Sequence, residues 1–148
     1  MSGPRRIRPL RIGSVETPTN LLAAPVAGAS DLGFRDDVRH FGSAGMLFAE
    51  MVSADQVVRG TGDEPARLDG FAEERGDRPV PPVGVQLWDD DPDTLLAAAE
   101  KVVETFRPAV VDLNFGCPVD RIVRHSSGAK LLDEPRRIEA IVSRLARR

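Results

Sequence analysis

The lone thiol of this chain, Cys117, stands in the stretch Asn114-Phe115-Gly116-Cys117-Pro118. It follows the apolar run Ala109-Val110-Val111-Asp112-Leu113. The run reads as a buried strand, so the sulfur falls just past a strand's C-terminal end. In α/β barrels that end is where chemistry is done. Gly116 and Pro118 bound the thiol, which predicts a tight turn rather than a helix around it. A thiol with an unperturbed pKa of about 8.5 is mostly protonated at neutral pH and can serve as an acid. The plain alternative is a buried structural thiol.

Other chemistries are excluded. One cysteine cannot form an internal disulfide or a multi-cysteine metal site, and it fits a reducing cytoplasm. His125 has no carboxylate or cysteine at metal-ligand spacing. There is no GxGxxG and no Walker-type loop, hence no Rossmann or P-loop nucleotide site. Net charge is −3, so no global basic field advertises nucleic acid. Two local basic patches exist, Arg5-Arg6-Arg8-Arg11 and Arg121-Arg124-His125. Charge runs of this kind are usually solvated surface. Lys101 and Lys130 are the only lysines among 20 Lys and Arg, which reads as a composition bias.

Hydrophobic residues at 41% and charged residues at 29% describe a globular chain. A length of 148 residues suits one domain. No apolar stretch approaches the roughly 18 residues of a membrane helix. The basic start, Met1 to Arg11, is followed by no apolar stretch, so it does not read as a secretory signal.

Strand and helix signals alternate. Residues 1–19 read as an extension or hairpin punctuated by Gly13 and Pro18. Strands are expected at 20–24, 45–49, 83–87 and 109–114. Ser30 or Asp31 can cap a helix with Phe34, Val38 and Phe41 inward, closed by Gly42. A short helix is expected near Asp55–Arg59, within a long connection from Ser53 to Val80. Asp91 caps a helix with Pro92 in its first turn and a stripe of Leu95, Leu96, Ala99, Val102, Val103 and Phe106. The last helix starts at Pro135 and turns Ile138, Ile141, Val142 and Leu145 inward. Apolar strands alternating with amphipathic helices predict an α/β fold with a parallel sheet covered by helices. A full (β/α)₈ barrel takes about 250 residues, so four units fit either a small open sheet or half a TIM barrel.

Three segments together resemble the tRNA-dihydrouridine synthase family. They are Leu22 to Arg35, with Pro25-Val26-Ala27-Gly28 at its turn; Ala49 to Ala54; and Val85-Gln86-Leu87 through Asn114-Phe115-Gly116-Cys117-Pro118 to Leu132. The resemblance covers about residues 20–145. It implies the first four βα units of a TIM-barrel catalytic domain, residues 20–148, acting in the cytoplasm. It implies FMN as cofactor, NADPH as electron donor, and tRNA uridine as the group reduced. Cys117 would protonate carbon 5 of uracil. Pro25, Val26 and Ala27 would lie against the flavin ring, with Val26 in place of the usual methionine. Gln86 would meet the ring's pyrimidine edge, where otherwise a neighbouring side chain or solvent must satisfy it.

Asn114 would contact the substrate base or the flavin, or bridge backbone groups at the strand end. Glu50 would orient site groups or pair with an arginine. Arg35 would meet RNA phosphate or stand as helix surface. Arg121, Arg124, His125 and Lys130 would line a loop suited to phosphate contacts. The family's fifth-strand lysine, its histidine, its phosphate-binding glycine loops and its helical tRNA-binding domain have no counterpart here. The resemblance therefore predicts a partner for this chain: the C-terminal half of the barrel or a second chain. Two other readings stand beside it. One is a non-catalytic half barrel that binds no flavin alone. The other is a reductase of the dihydroorotate dehydrogenase kind, whose motif has serine where Gly116 stands.

Overall fold

Val83–Trp88 is the strand around which the sheet is arranged. The protein is described here by a computed structural model covering residues 7–42, 44–61, 68 and 81–147. Arg5 and Arg6, most of the expected connection up to Val80, and Arg148 lie outside the described residues.

β1 (Leu10–Ile12) and β2 (Val15–Thr17) form an antiparallel hairpin, with Gly13 and Ser14 at its tip. The main sheet is parallel. β3 (Leu47–Phe48) and β4 (Val52–Ser53) lie on one side of β5 (Val83–Trp88), and β6 (Val111–Leu113) lies on the other. Leu47 faces Val83 and Val52 faces Leu87, so five steps along one strand oppose four along the other. One residue is extra, and the chain bulges through 49–51. The expected strand at 20–24 is reduced to a single parallel bridge, Leu22 to Met46, backed by the Ala23 N–H to the Met46 carbonyl at 2.9 Å. Spatial order follows chain order, as in a barrel wall. Among the described residues the sheet does not close into a barrel.

Local chemistry explains the helices. In α1 (Leu32–Phe41) the Asp31 carboxylate accepts from the Phe34 N–H at 2.9 Å. α2 (Ala54–Arg59) is capped by Ser53 and ends on Gly60 in the left-handed region. In α3 (Pro92–Phe106) the Asp91 carboxylate accepts from the Thr94 N–H and hydroxyl, both at 2.8 Å. Those bonds hold the Asp91 carboxyl below its usual range. α4 (Asp120–Val123), a 3₁₀ helix (Gly128–Asp133) and α5 (Pro135–Leu145) complete the chain. No described helix is long and apolar enough to cross a membrane.

The period of two along a strand divides the sheet into two faces. Val83, Val85 and Leu87 are buried with Leu95, Ala98 and Val102 of α3, and with Leu131 and Ile141. Each large apolar side chain sealed this way contributes about 1.5–3 kcal/mol. One expectation fails. Of the predicted α1 stripe, only Val38 packs on this core; Phe34 is exposed and Phe41 is 83% exposed, while Arg35 is buried instead.

Gly84 lies on the opposite face, beneath Phe48 and Val110. A Cβ there would come 2.5 Å from the Phe48 ring and 2.8 Å from Val110. Gly84→Ala is expected to cost about 2 kcal/mol through overpacking. Adding Phe48→Leu should recover part of that loss in urea denaturation, and additive losses in the double variant would show that the ring is not the obstacle.

Candidate active site

The face of the sheet away from α3 carries polar side chains near the C-terminal ends of the strands. Gln86 on β5 stands opposite Asp112 on β6, and Gln86 Nε2 donates to Asp112 Oδ2 at 2.6 Å. Asn114 follows on the same face. Its Nδ2 donates to Gln86 Oε1 at 2.8 Å and to Met51 Sδ at 3.2 Å. Its Oδ1 accepts the backbone N–H groups of Gly116 at 3.1 Å and Cys117 at 2.9 Å. Asn114 thus uses both N–H groups and both lone pairs while buried, as a buried amide must.

The Cys117 turn is held from its other side as well. The Cys117 carbonyl accepts from the Ala129 N–H at 3.0 Å. Gly128 makes that approach possible: at φ +60° it avoids left-handed strain, and a Cβ would stand 2.5 Å from the Cys117 oxygen. The thiol itself is half-buried and free.

A second turn faces the first. Val26 N–H donates to Ser30 Oγ at 2.9 Å, and the Val26 carbonyl accepts from the Ala29 and Ser30 N–H groups. Glu50, on the bulge, accepts from the Gly28 N–H at 2.8 Å and so fastens this turn to the strand end. Pro25, Val26, Ala27, Gln86, Asn114 and Cys117 line one cavity of about 600 Å³, completed by Ala24, Met51, Leu113, Phe115, Gly116 and Val119. That size is ordinary for a small-molecule site. The apolar walls and the amide edge suit a flat, partly polar ring.

Not every expected residue joins this cavity. Arg35 is 1% exposed, and its guanidinium donates to the Ser30 carbonyl at 2.8 Å. It has no surface to offer a phosphate, so the expected substrate contact is corrected to a structural one. Glu50 acts on the 25–30 turn and is not a wall of the cavity. The expected basic loop after Cys117 is partly helical and is not one patch. Arg124 pairs with Asp120 at 3.8 Å and Lys130 with Asp133 at 2.8 Å, both on the surface. The Lys130 pairing raises its own pKa and lowers that of Asp133.

Arg121 and His125 line a separate polar cavity of about 430 Å³ with Ser53, Arg59, Trp88 and Asp89. Burial pushes the Asp89 carboxyl up, against bonds from the Asp91 and Asp90 N–H groups. Among the described residues no three His, Cys, Asp or Glu side chains gather as a metal site. Two members of the network, Met51 and Asp112, lie outside the set of residues expected from the sequence. A charged residue inside the apolar run Val110-Val111-Asp112-Leu113 was the available signal, because it needs a partner if buried.

The fold and site define an α/β protein with its candidate site at the carboxyl ends of parallel strands, the usual place for such sites. The dihydrouridine synthase (Dus) family profile matches residues 21–148, and the chain belongs to that family. A probable tRNA-dihydrouridine synthase 1 from Synechocystis is 36% identical over 135 residues, covering 91% of this chain and 36% of the relative. The tRNA-dihydrouridine synthase B of Pasteurella multocida is 33% identical over 138 residues, covering 93% of this chain and 39% of the relative. That of Pseudomonas aeruginosa is 34% identical over 136 residues, covering 92% and 37%. The chain spans somewhat more than a third of the length of these curated relatives.

The Glu50 contact is directly testable. Glu50→Ala should cost about 1 kcal/mol of stability, the worth of one such hydrogen bond. Glu50→Gln keeps an acceptor and should retain most of it. Equal losses in both variants, read from urea midpoints, would contradict the assigned role.

Proposed function

We propose that this chain is the first half of the catalytic barrel of an enzyme that reduces uridine in tRNA to 5,6-dihydrouridine. The observation that carries the reading is the single cavity shared by the 25–27 turn, the Gln86–Asn114 amide edge and the Cys117 turn. Family membership supports it. The same observation is the test of fit for FMN. Small and apolar groups at Pro25, Val26 and Ala27 would hold one face of its ring. Gln86 retains one N–H and one lone pair for the ring's polar edge, beyond its bonds to Asp112 and Asn114. When bound, FMN supplies hydride chemistry, with NADPH as the source of electrons.

The chain's own part is the proton. Reduction of the uracil 5,6 double bond adds a hydride at carbon 6 and a proton at carbon 5. Cys117 Sγ carries that proton and releases it to carbon 5, leaving a thiolate that solvent reprotonates. The Cys117 backbone is held between the Asn114 carboxamide and the Ala129 N–H, which would restrict the places from which its sulfur delivers the proton. The bond from Asn114 Nδ2 to the weakly accepting Met51 sulfur is the one a uracil carbonyl would most easily replace.

The remaining barrel strands would come from the C-terminal half or from a second chain. Two apolar borders support this. Leu21 and Leu22 are exposed at one side of the sheet. At the other, Leu96, Val103, Val111, Leu113 and Val142 line a groove of about 500 Å³. The cytoplasm, where tRNA is modified and thiols stay reduced, is the compartment that fits this chemistry.

In a barrel completed with a relative's second half, Cys117→Ala should lower uridine reduction at least about 100-fold, the usual worth of a general acid, while flavin absorbance is retained. Turnover at the parent rate would overturn the proton-donor role.

A further inference from the structure

Asp112 lies on the same face of the sheet as Asn114, directly opposite Gln86. An ionised carboxylate accepts hydrogen bonds and donates none. Gln86 therefore turns Nε2 toward Asp112, at 2.6 Å. Its Oε1 is left to face Asn114, which answers with Nδ2 at 2.8 Å. The oxygen of Asn114 is then the atom that meets the Gly116 and Cys117 N–H groups. Reversing either amide would set oxygen against oxygen or N–H against N–H.

We propose that Asp112 is a positioning residue: through Gln86 and Asn114 it fixes the polarity of the hydrogen bonds that hold the Cys117 turn. It is not itself a wall of the cavity. Its role is to leave two side-chain amides, each of which could face either way, with one orientation. The functional meaning of that role rests on reading Cys117 as the proton donor. The connectivity itself does not.

Isosteric substitutions separate this role from simple space filling. Asp112→Asn keeps the shape and removes the fixed polarity, because asparagine can present either atom to Gln86. Gln86→Glu keeps the shape and sets two carboxylates face to face. Combining Asp112→Asn with Gln86→Glu makes the row complementary again. The new amide at position 112 would donate to the new carboxylate at position 86, and that carboxylate would again accept from Asn114 Nδ2.

The measurement is amide hydrogen exchange at Cys117 in the 148-residue chain, taken as a ratio to exchange at Val102 in the core of α3, so that global loosening cancels. Asp112→Asn should raise the ratio about threefold and Gln86→Glu about tenfold, in line with a weakened and a lost hydrogen bond. The double variant should return within about twofold of the parent, since every donor again has its acceptor. A ratio unmoved by both single changes, or a double variant as fast as Gln86→Glu alone, overturns the proposal. Uridine reduction does not enter this readout, so its outcome is distinct from that of the Cys117→Ala experiment.

Discussion

Register between two neighbouring parallel strands is the constraint on which the site depends. Gln86 stands opposite Asp112, and Leu87 opposite Leu113. Because side chains alternate, this one alignment puts Val85, Leu87, Val111 and Leu113 on the helix side and Gln86, Asp112 and Asn114 on the other. A slip of β6 by one residue would drive the Asp112 carboxylate and the Asn114 amide into the apolar layer under α3. The hydrophobic burial that seats α3 therefore also selects the polar row. The fold's main source of stability and the geometry of its site are the same alignment seen from two faces.

The bulge at 49–51 is the second requirement. An unbroken ladder would keep Glu50 and Met51 in alternation with their neighbours. The extra residue re-aims both, and bulges beside active sites commonly do this. Glu50 then reaches the Gly28 N–H, and Met51 lies against Asn114. Two turns from distant parts of the sequence, 25–30 and 114–118, are thereby fixed to one strand end. Each turn also closes on a short polar side chain of its own, Ser30 in the first and Asn114 in the second.

Much of this was legible in the sequence where the signal is local. Asp91 followed by Pro92 marks the start of α3 because the cap and the proline act within one turn. The apolar runs at 83–87 and 109–114 locate β5 and β6, whereas Pro25, Val26, Ala27 and Gln86 were tied to Cys117 only by the family resemblance, and the structure lines one cavity with all five. What was not legible depends on register or on distant partners. The first strand shrinks to a bridge at Leu22, although the apolar run Leu21-Leu22-Ala23-Ala24 reads as a strand by its hydrophobicity. A one-residue bulge leaves no mark in an apolar pattern. Arg35 reads as surface from its type, yet it is buried under the 25–30 turn that it helps to close. Asp112 is a charge in a strand, a departure from pattern whose meaning appears only once Gln86 is beside it.

Cys117 and Pro25–Ala27 line one cavity, and the proposed function requires that a flat ring bound there lie beside the sulfur. The chain has one cysteine, so alkylation of the chain reports on that sulfur alone. The rate of alkylation by a small maleimide, followed by intact mass while lumiflavin is titrated in, tests the claim most directly. Progressive, saturable protection of Cys117 is the predicted result. An alkylation rate that stays constant across the titration would contradict it.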